Sequence, residues 1–139
     1  MITKEDMRKM QVMQNSVMRL TSNSRYDTPT TELLKKTNQL SIHQLIAFHT
    51  ACQVYNIFKN RFPTYHYNRL FGGQNINLRS RSNLESRVEF RTSLGRGSFF
   101  YQGSRVWNAL PNPAKTATDI KSFKTLTKPW IKSNISIKP

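Results

Sequence analysis

Apolar residues recur every three or four positions along the first twenty residues: Met7, Met10, Met13 or Gln14, Val17 and Met18, reaching to about Leu20. This is the period of one helix face. Thr3 followed by Asp6 supplies a start signal, a hydroxyl to cap free amides and a carboxylate at the positive helix end. Thr21 to Asp27 is polar and reads as a connector. Thr28 is the expected cap of a second, short helix, with Pro29 at its first position, where a missing amide costs nothing, and Leu33 and Leu34 before Asn38. Ser41 and Gln44 have the spacing of a capping box and open a helix running to about Asn60. Along it Ile42, Leu45, Ile46, Phe48, Cys52, Val54, Tyr55, Ile57 and Phe58 cover more than one face, which predicts a buried central helix.

After Phe62-Pro63 the pattern changes. Tyr65 to Arg91 has no sustained helical period, is rich in Arg, Asn, Ser and Tyr, and contains Gly72-Gly73, so it reads as a linker or an extended arm. The alternation from Leu84 through Val88 to Phe90 predicts a strand with one apolar face. Its expected partner is the aromatic run Ser98, Phe99, Phe100 and Tyr101, across a turn at Gly95-Arg96-Gly97. Beyond Gly103, the spacing of Val106, Trp107 and Leu110 predicts a short helix ended by Pro111, with Trp107 as its anchor. A last helix is expected from Thr118, with Ile120, Phe123, Leu126 and Trp130 on one side and Lys121, Lys124, Lys128 and Lys132 largely elsewhere; Pro129 should kink or end it. The expected fold is therefore mainly α with a small β element. It has a helical part at 1–62, a basic extended arm or linker at 63–92, and a strand, turn, short helix and basic helix at 93–139, in one structural domain overall.

Composition changes the picture in one respect. Lys and Arg number 22 against 7 Asp and Glu, a net charge of +15 on 139 residues, and such a field favours polyanions. Nucleic acid is the first candidate partner, an anionic membrane surface the second, and a merely solvated basic surface the plain alternative. The apolar fraction of 37% lies below the usual ~45–50%, which predicts a small core or one completed on a partner. A single cysteine, Cys52, excludes an internal disulfide and cysteine-based zinc sites, and its apolar helical setting predicts a buried thiol. The charged stretch from Lys4 to Lys9 is unlike a secretory signal, and no apolar run reaches the ~18 residues of a membrane span. A soluble intracellular protein, nuclear or cytoplasmic and not secreted, is the expectation.

Catalytic chemistry finds no support in the residue pattern. Nucleotide transfer and nuclease chemistry need clustered carboxylates for metal ions, whereas Glu5, Asp6, Asp27, Glu32, Glu85, Glu89 and Asp119 are scattered. His43 and His49 lack a third ligand at metal spacing. No phosphate-cradling loop is present, and no nucleophile, base and acid assemble around Cys52 and His49. The expectation is a chain that is not an enzyme and holds no metal or cofactor. Binding remains. Eight arginines between Arg61 and Arg105 are interleaved with Phe62, Tyr65, Tyr67, Phe71, Phe90, Phe99, Phe100 and Tyr101, opposed by Glu85 and Glu89 alone. Arginines neutralise phosphates, and exposed aromatics give sequence-tolerant platforms for single strands. Arg79, Arg81, Arg87, Arg91, Arg96 and Arg105, with Tyr65 and Tyr67, are the predicted contacts to RNA or DNA, and Phe99, Tyr101 and Trp107 the structural anchors.

One ordered set of residues has a familiar look. Arg91, Leu94-Gly95, Ser98-Phe99, Tyr101, Gly103, Trp107-Asn108 and Leu110-Pro111 follow Arg25-Tyr26, Thr28-Pro29-Thr30, Glu32-Leu33-Leu34 and Leu40-Ser41-Ile42, and precede Ser122-Phe123-Lys124. The set spans about residues 8–130 and resembles the region after the palm and thumb in the reverse transcriptase of non-LTR retrotransposons, of the jockey-like animal type. Asp27 departs from the pattern as an extra residue between Tyr26 and Thr28. The resemblance implies a non-catalytic accessory segment that holds RNA or an RNA–DNA template near polymerase domains supplied elsewhere. A protein-interaction module, docking on those domains or on another partner through its methionine-rich first helix and the apolar faces of Phe123 and Trp130, is the competing class.

Overall fold

The computed structural model describes residues 2–72 and 88–137. Within them the chain forms eight helices: α1 (Lys4–Ser22), α2 (Thr30–Thr37), α3 (Ile42–Asn60), α4 (Thr64–Phe71), α5 (Ser93–Arg96), α6 (Phe99–Ala109), α7 (Asn112–Lys115) and α8 (Ile120–Asn134). No strand occurs among the described residues. The contacts divide the chain into two compact units, one of residues 47–131 and one of residues 2–46 with 132–139.

The unit of residues 2–46 and 132–137 is knit by amides as much as by apolar packing. Thr3 caps α1 in a full capping box with Asp6, and Asn23 and Asn38 close α1 and α2 in the left-handed conformation that asparagine tolerates. The cap of α2 is Pro29 rather than the expected Thr28, and the helix starts one residue later. Met18, Leu33 and Leu34 form a small apolar cluster with Ile137 against it. Around it Asn15 donates to Thr30 Oγ1 at 2.8 Å, Gln14 to the Leu40 carbonyl at 2.8 Å, and the Ile42 amide to Gln11 Oε1 at 2.9 Å. The Ser41–Gln44 box forms as its spacing predicts, inside the fold: Ser41 is fully buried, and Gln44 Nε2 reaches the Ile135 carbonyl at 2.9 Å.

The unit of residues 47–131 is built on rings. Ala51, Val54, Trp107, Ala114 and Phe123 have no exposed surface. Trp107 meets Phe58 at 5.2 Å, Phe71 at 5.9 Å and Phe123 at 6.4 Å between ring centroids, and Tyr55 stacks on Phe123 at 4.3 Å. Each large ring buried this way contributes about 1.5–3 kcal/mol relative to exposure. The Tyr55 hydroxyl donates to the Ala117 carbonyl at 2.8 Å, and burial pushes its phenol up, with the Asp119 charge adding to the effect. The body of α3 is thus the buried central helix that its sequence predicts.

Three expectations are corrected. Ser98 to Tyr101 is not a strand: Ser98 caps α6 by accepting from the Tyr101 amide, and Phe99 to Ala109 winds as a helix. The helix wins because its period brings Phe99, Gly103, Val106 and Trp107 to one side, toward α3. Gly103 serves as the point of closest approach rather than as a turn, since a Cβ there would lie 2.9 Å from Val54 Cγ2. Val88 to Phe90 is irregular, and the rest of the expected strand, Leu84 to Arg87, lies outside the described residues. The second correction is that Asp119, not Thr118, caps α8: its carboxylate accepts from the Ser122 amide at 3.3 Å, and the Ser122 side chain first, then that amide, hold its pKa below the ordinary value. Third, of the two alternatives for Pro129 the ending of the helix is excluded, since α8 continues to Asn134.

Candidate nucleic-acid interface

The segment from Tyr65, expected to be extended, begins as helix α4. Its signal was the spacing of four, Tyr65 to Arg69 and Tyr67 to Phe71, behind Pro63, too short a stretch to register as a sustained period. Leu70 and Phe71 turn inward, leaving Tyr65, His66 and Arg69 on the other side. There they meet the first turn of α6. The Phe100 ring stacks on His66 at 5.4 Å and takes Tyr65 edge-on at 6.2 Å.

Arg69 is the hub of this surface. Its guanidinium lies 5.4 Å over the Phe100 ring and 5.6 Å over the Phe90 ring, one cation against two aromatic rings. The Phe90 ring is seated on Gly95, where a Cβ would stand 2.7 Å away, so Gly95 admits the ring. Helix α5, capped by Thr92 through the Gly95 amide at 3.1 Å, carries Arg96 to the same place. Arg96 Nε donates to the Phe90 carbonyl at 3.4 Å, and Gln102 Nε2 to the Arg96 carbonyl at 2.7 Å.

Of the predicted contacts, Tyr65 is 64% exposed at the rim, and Arg91, Arg96 and Arg105 are exposed. Arg105 lies one turn along α6, over Tyr101 at 5.8 Å. Tyr67 is half-buried between Phe71, at 5.5 Å, and the guanidinium of Arg61, at 5.7 Å, so it supports the surface rather than offering a free face. Arg79, Arg81 and Arg87 lie outside the described residues. Trp107 is the fully buried anchor expected, whereas Phe99 and Tyr101 are half-buried. The residues missing from the predicted set are Arg69, His66 and Phe100, whose roles arise only when α4 and α6 pair.

Electrostatics across this unit run one way. Its described residues hold Arg61, Arg69, Arg91, Arg96 and Arg105 and Lys59, Lys115, Lys121, Lys124 and Lys128 against Glu89 and Asp119. The two ion pairs among the described residues, Arg8–Glu5 and Arg25–Asp27, both belong to the other unit. Burial pushes the Cys52 thiol up, the nearby Lys124 charge opposing it, which suits a structural thiol rather than a nucleophile. Among the described residues no three His, Cys, Asp or Glu side chains converge as metal ligands do, and no helix is long and apolar enough to cross a membrane.

The other unit presents a different kind of surface. The predicted methionine stripe splits: Met18 is buried with Met7 and Met10 half-covered, while Met13, Val17 and Leu20 are 69%, 59% and 83% exposed. Beside Val17 an open groove of about 690 Å³ runs between α1 and α2, floored by Met18 and bordered by Gln14, Lys36 and Thr37. Comparison of the chain with models of protein families, with curated proteins and with solved structures finds no match.

Proposed function

We propose that this chain is a non-catalytic nucleic-acid-binding segment, holding single-stranded RNA or an RNA–DNA template on the face formed by α4, α5 and the start of α6. The observation that carries the reading is the Phe90, Arg69 and Phe100 cluster, one guanidinium over two rings, with Tyr65 exposed beside Phe100 and Arg96 bonded to the Phe90 carbonyl. Arg69 lies against two rings, contacts that hold a guanidinium in place while its N–H donors are the groups that meet phosphate. Tyr65 offers a ring to an unstacked base. The ordered motifs from Arg25 to Lys124 add the proposal that the segment belongs with a retrotransposon reverse transcriptase of the non-LTR class, its polymerase carboxylates lying on other domains.

The test is binding of the purified chain to labelled single-stranded RNA, duplex DNA and heparin across a salt series. RNA bound more tightly than heparin, with Tyr65→Ala weakening RNA about tenfold, supports the reading; stacking on one base is worth about 1–3 kcal/mol. Equal affinity for RNA and heparin, unmoved by Tyr65→Ala, rejects it. A second reading, partner docking, rests on the exposed Met13, Val17 and Leu20. Val17→Asp with loss of a protein partner and unchanged RNA binding would favour it.

A further inference from the structure

Helix α8 has two faces of opposite character. Phe123, Thr127 and Ile131 are completely buried, and Ile120 and Trp130 pack against the same core. Along one edge of that buried stripe Lys121, Lys124 and Lys128 stand at intervals of three and four, all exposed, none in an ion pair with another described residue. On α3, Lys59 Nζ lies 5.8 Å over the Tyr55 ring, which itself stacks on Phe123 of this helix. The acid on this helix is Asp119, and its carboxylate is engaged by the Ser122 amide.

We infer that this lysine face of α8 is a second binding surface, one that follows the phosphate backbone of a nucleic-acid duplex without touching bases. The seven steps of helix from Lys121 to Lys128 rise about 10.5 Å, the length over which one strand presents about three phosphates along the duplex axis at ~3.4 Å each, within reach of long lysine side chains. Lysines are flexible point charges suited to neutralising such a row. Between them in the chain the other exposed residues are Ser122, Thr125 and Leu126, none with a ring to stack on a base, so the surface differs in kind from the arginine and aromatic face on α4 to α6. An anionic membrane surface is disfavoured because an interfacial helix must insert its apolar side, and here that side is the core. A protein partner is disfavoured because the exposed apolar side chain of this stretch, Leu126, lies around the helix from the lysine row at ~100° per residue rather than at its centre.

The test is the Lys121→Gln, Lys124→Gln, Lys128→Gln triple variant, compared with the matching Lys→Arg triple and the unaltered chain, with circular dichroism confirming that all three are folded. Duplex DNA affinity is measured against salt. Loss of three phosphate contacts should lower the log–log slope by about 2.7 in the Gln variant, while the Arg variant keeps it and the Tyr65→Ala effect on single-stranded RNA is unaltered. An unchanged slope overturns the inference even if RNA binding on the α4–α6 face holds. Conversely, duplex binding lost in the Gln variant while Tyr65→Ala has no effect on RNA leaves this surface standing and rejects the other. Tighter binding to phosphatidylserine vesicles, or competition by polyglutamate equal to that by duplex, also overturns it.

Discussion

The two compact units solve the same problem with different chemistry. Residues 47–131 pack Trp107, Phe123, Tyr55, Phe58 and Phe71 ring against ring. Residues 2–46 with 132–137 bury three large apolar side chains as a cluster and rely on Gln11, Gln14, Asn15 and Gln44 to satisfy backbone and side-chain groups. In the first, stability grows with apolar area and tolerates no loss of volume. In the second it depends on pairing, because a buried polar group left alone costs its full desolvation. The ring-packed unit can therefore carry a dense cationic surface outside, its core being indifferent to charge. The amide-knit unit instead leaves an apolar stripe on α1 uncovered.

The sharpest break in this comparison is Trp107→Ala. The indole is fully buried among Phe58, Phe71 and Phe123, and its removal leaves a cavity that four helices cannot close. A loss of about 3–5 kcal/mol in denaturant unfolding is expected; a loss under 1 kcal/mol would show that the rings do not form one core. Next comes Gln44→Ala. It removes one side chain that accepts from the buried Ser41 amide at 3.1 Å and donates to the Ile135 carbonyl at 2.9 Å. About 1–3 kcal/mol should be lost through the unpaired groups, with little change in apolar area. A change within experimental error would mean that the amides are replaceable by water, and the contrast between units would fall.

Gly103→Ala asks whether local propensity or packing governs α6. Alanine is favoured over glycine in a helix interior by about 1 kcal/mol. Against that, the new methyl would meet Val54 Cγ2 at 2.9 Å, and overpacking of this kind costs about 1–3 kcal/mol. Packing should win, with a net loss of about 1 kcal/mol, which Val54→Ala in the same chain would relieve. A gain in stability from Gly103→Ala alone would mean that α3 and α6 separate readily.

The same glycine shows where sequence reading succeeds and fails. Capping boxes at Thr3–Asp6 and Ser41–Gln44 are local devices, complete within four residues, and both are legible without any fold. Trp107 is legible as an anchor because its bulk leaves few alternatives. Gly103 and the aromatic run before it are not, since a glycine that admits a neighbouring helix and a glycine that makes a turn look alike until Val54 is placed opposite. The cation–π hub is hidden for a related reason: Arg69 gains its meaning from Phe90 and Phe100, 21 and 31 positions away in the chain. Asn15 gives no warning at all, being a polar residue on what the periodicity marks as a flank of the apolar stripe.

The smallest expected effect treats the two units alike, and this makes it a control on the others. Each unit has a helix start held by an exposed aspartate: Asp6 accepts from the Thr3 amide at 3.1 Å and from its hydroxyl at 2.6 Å, and Asp119 accepts from the Ser122 amide. Those hydrogen bonds, led in each case by the side-chain bond to Thr3 or to Ser122, hold both carboxyls below their ordinary value of 3.8. A depressed native pKa means that the unfolded chain binds protons first, so the stabilisation is present above about pH 3.8 and is lost as pH falls through the native value. Stability should be flat from pH 7 to 5 on this account and decline below 4, modestly, because both groups are fully open to solvent. Asp6→Asn should remove part of the decline from the amide-knit unit and Asp119→Asn part of it from the ring-packed unit, followed as amide hydrogen exchange in the first turns of α1 and α8. If either variant leaves its own helix start unchanged at pH 6 and pH 3 alike, the carboxylate is a bystander there and the backbone caps itself.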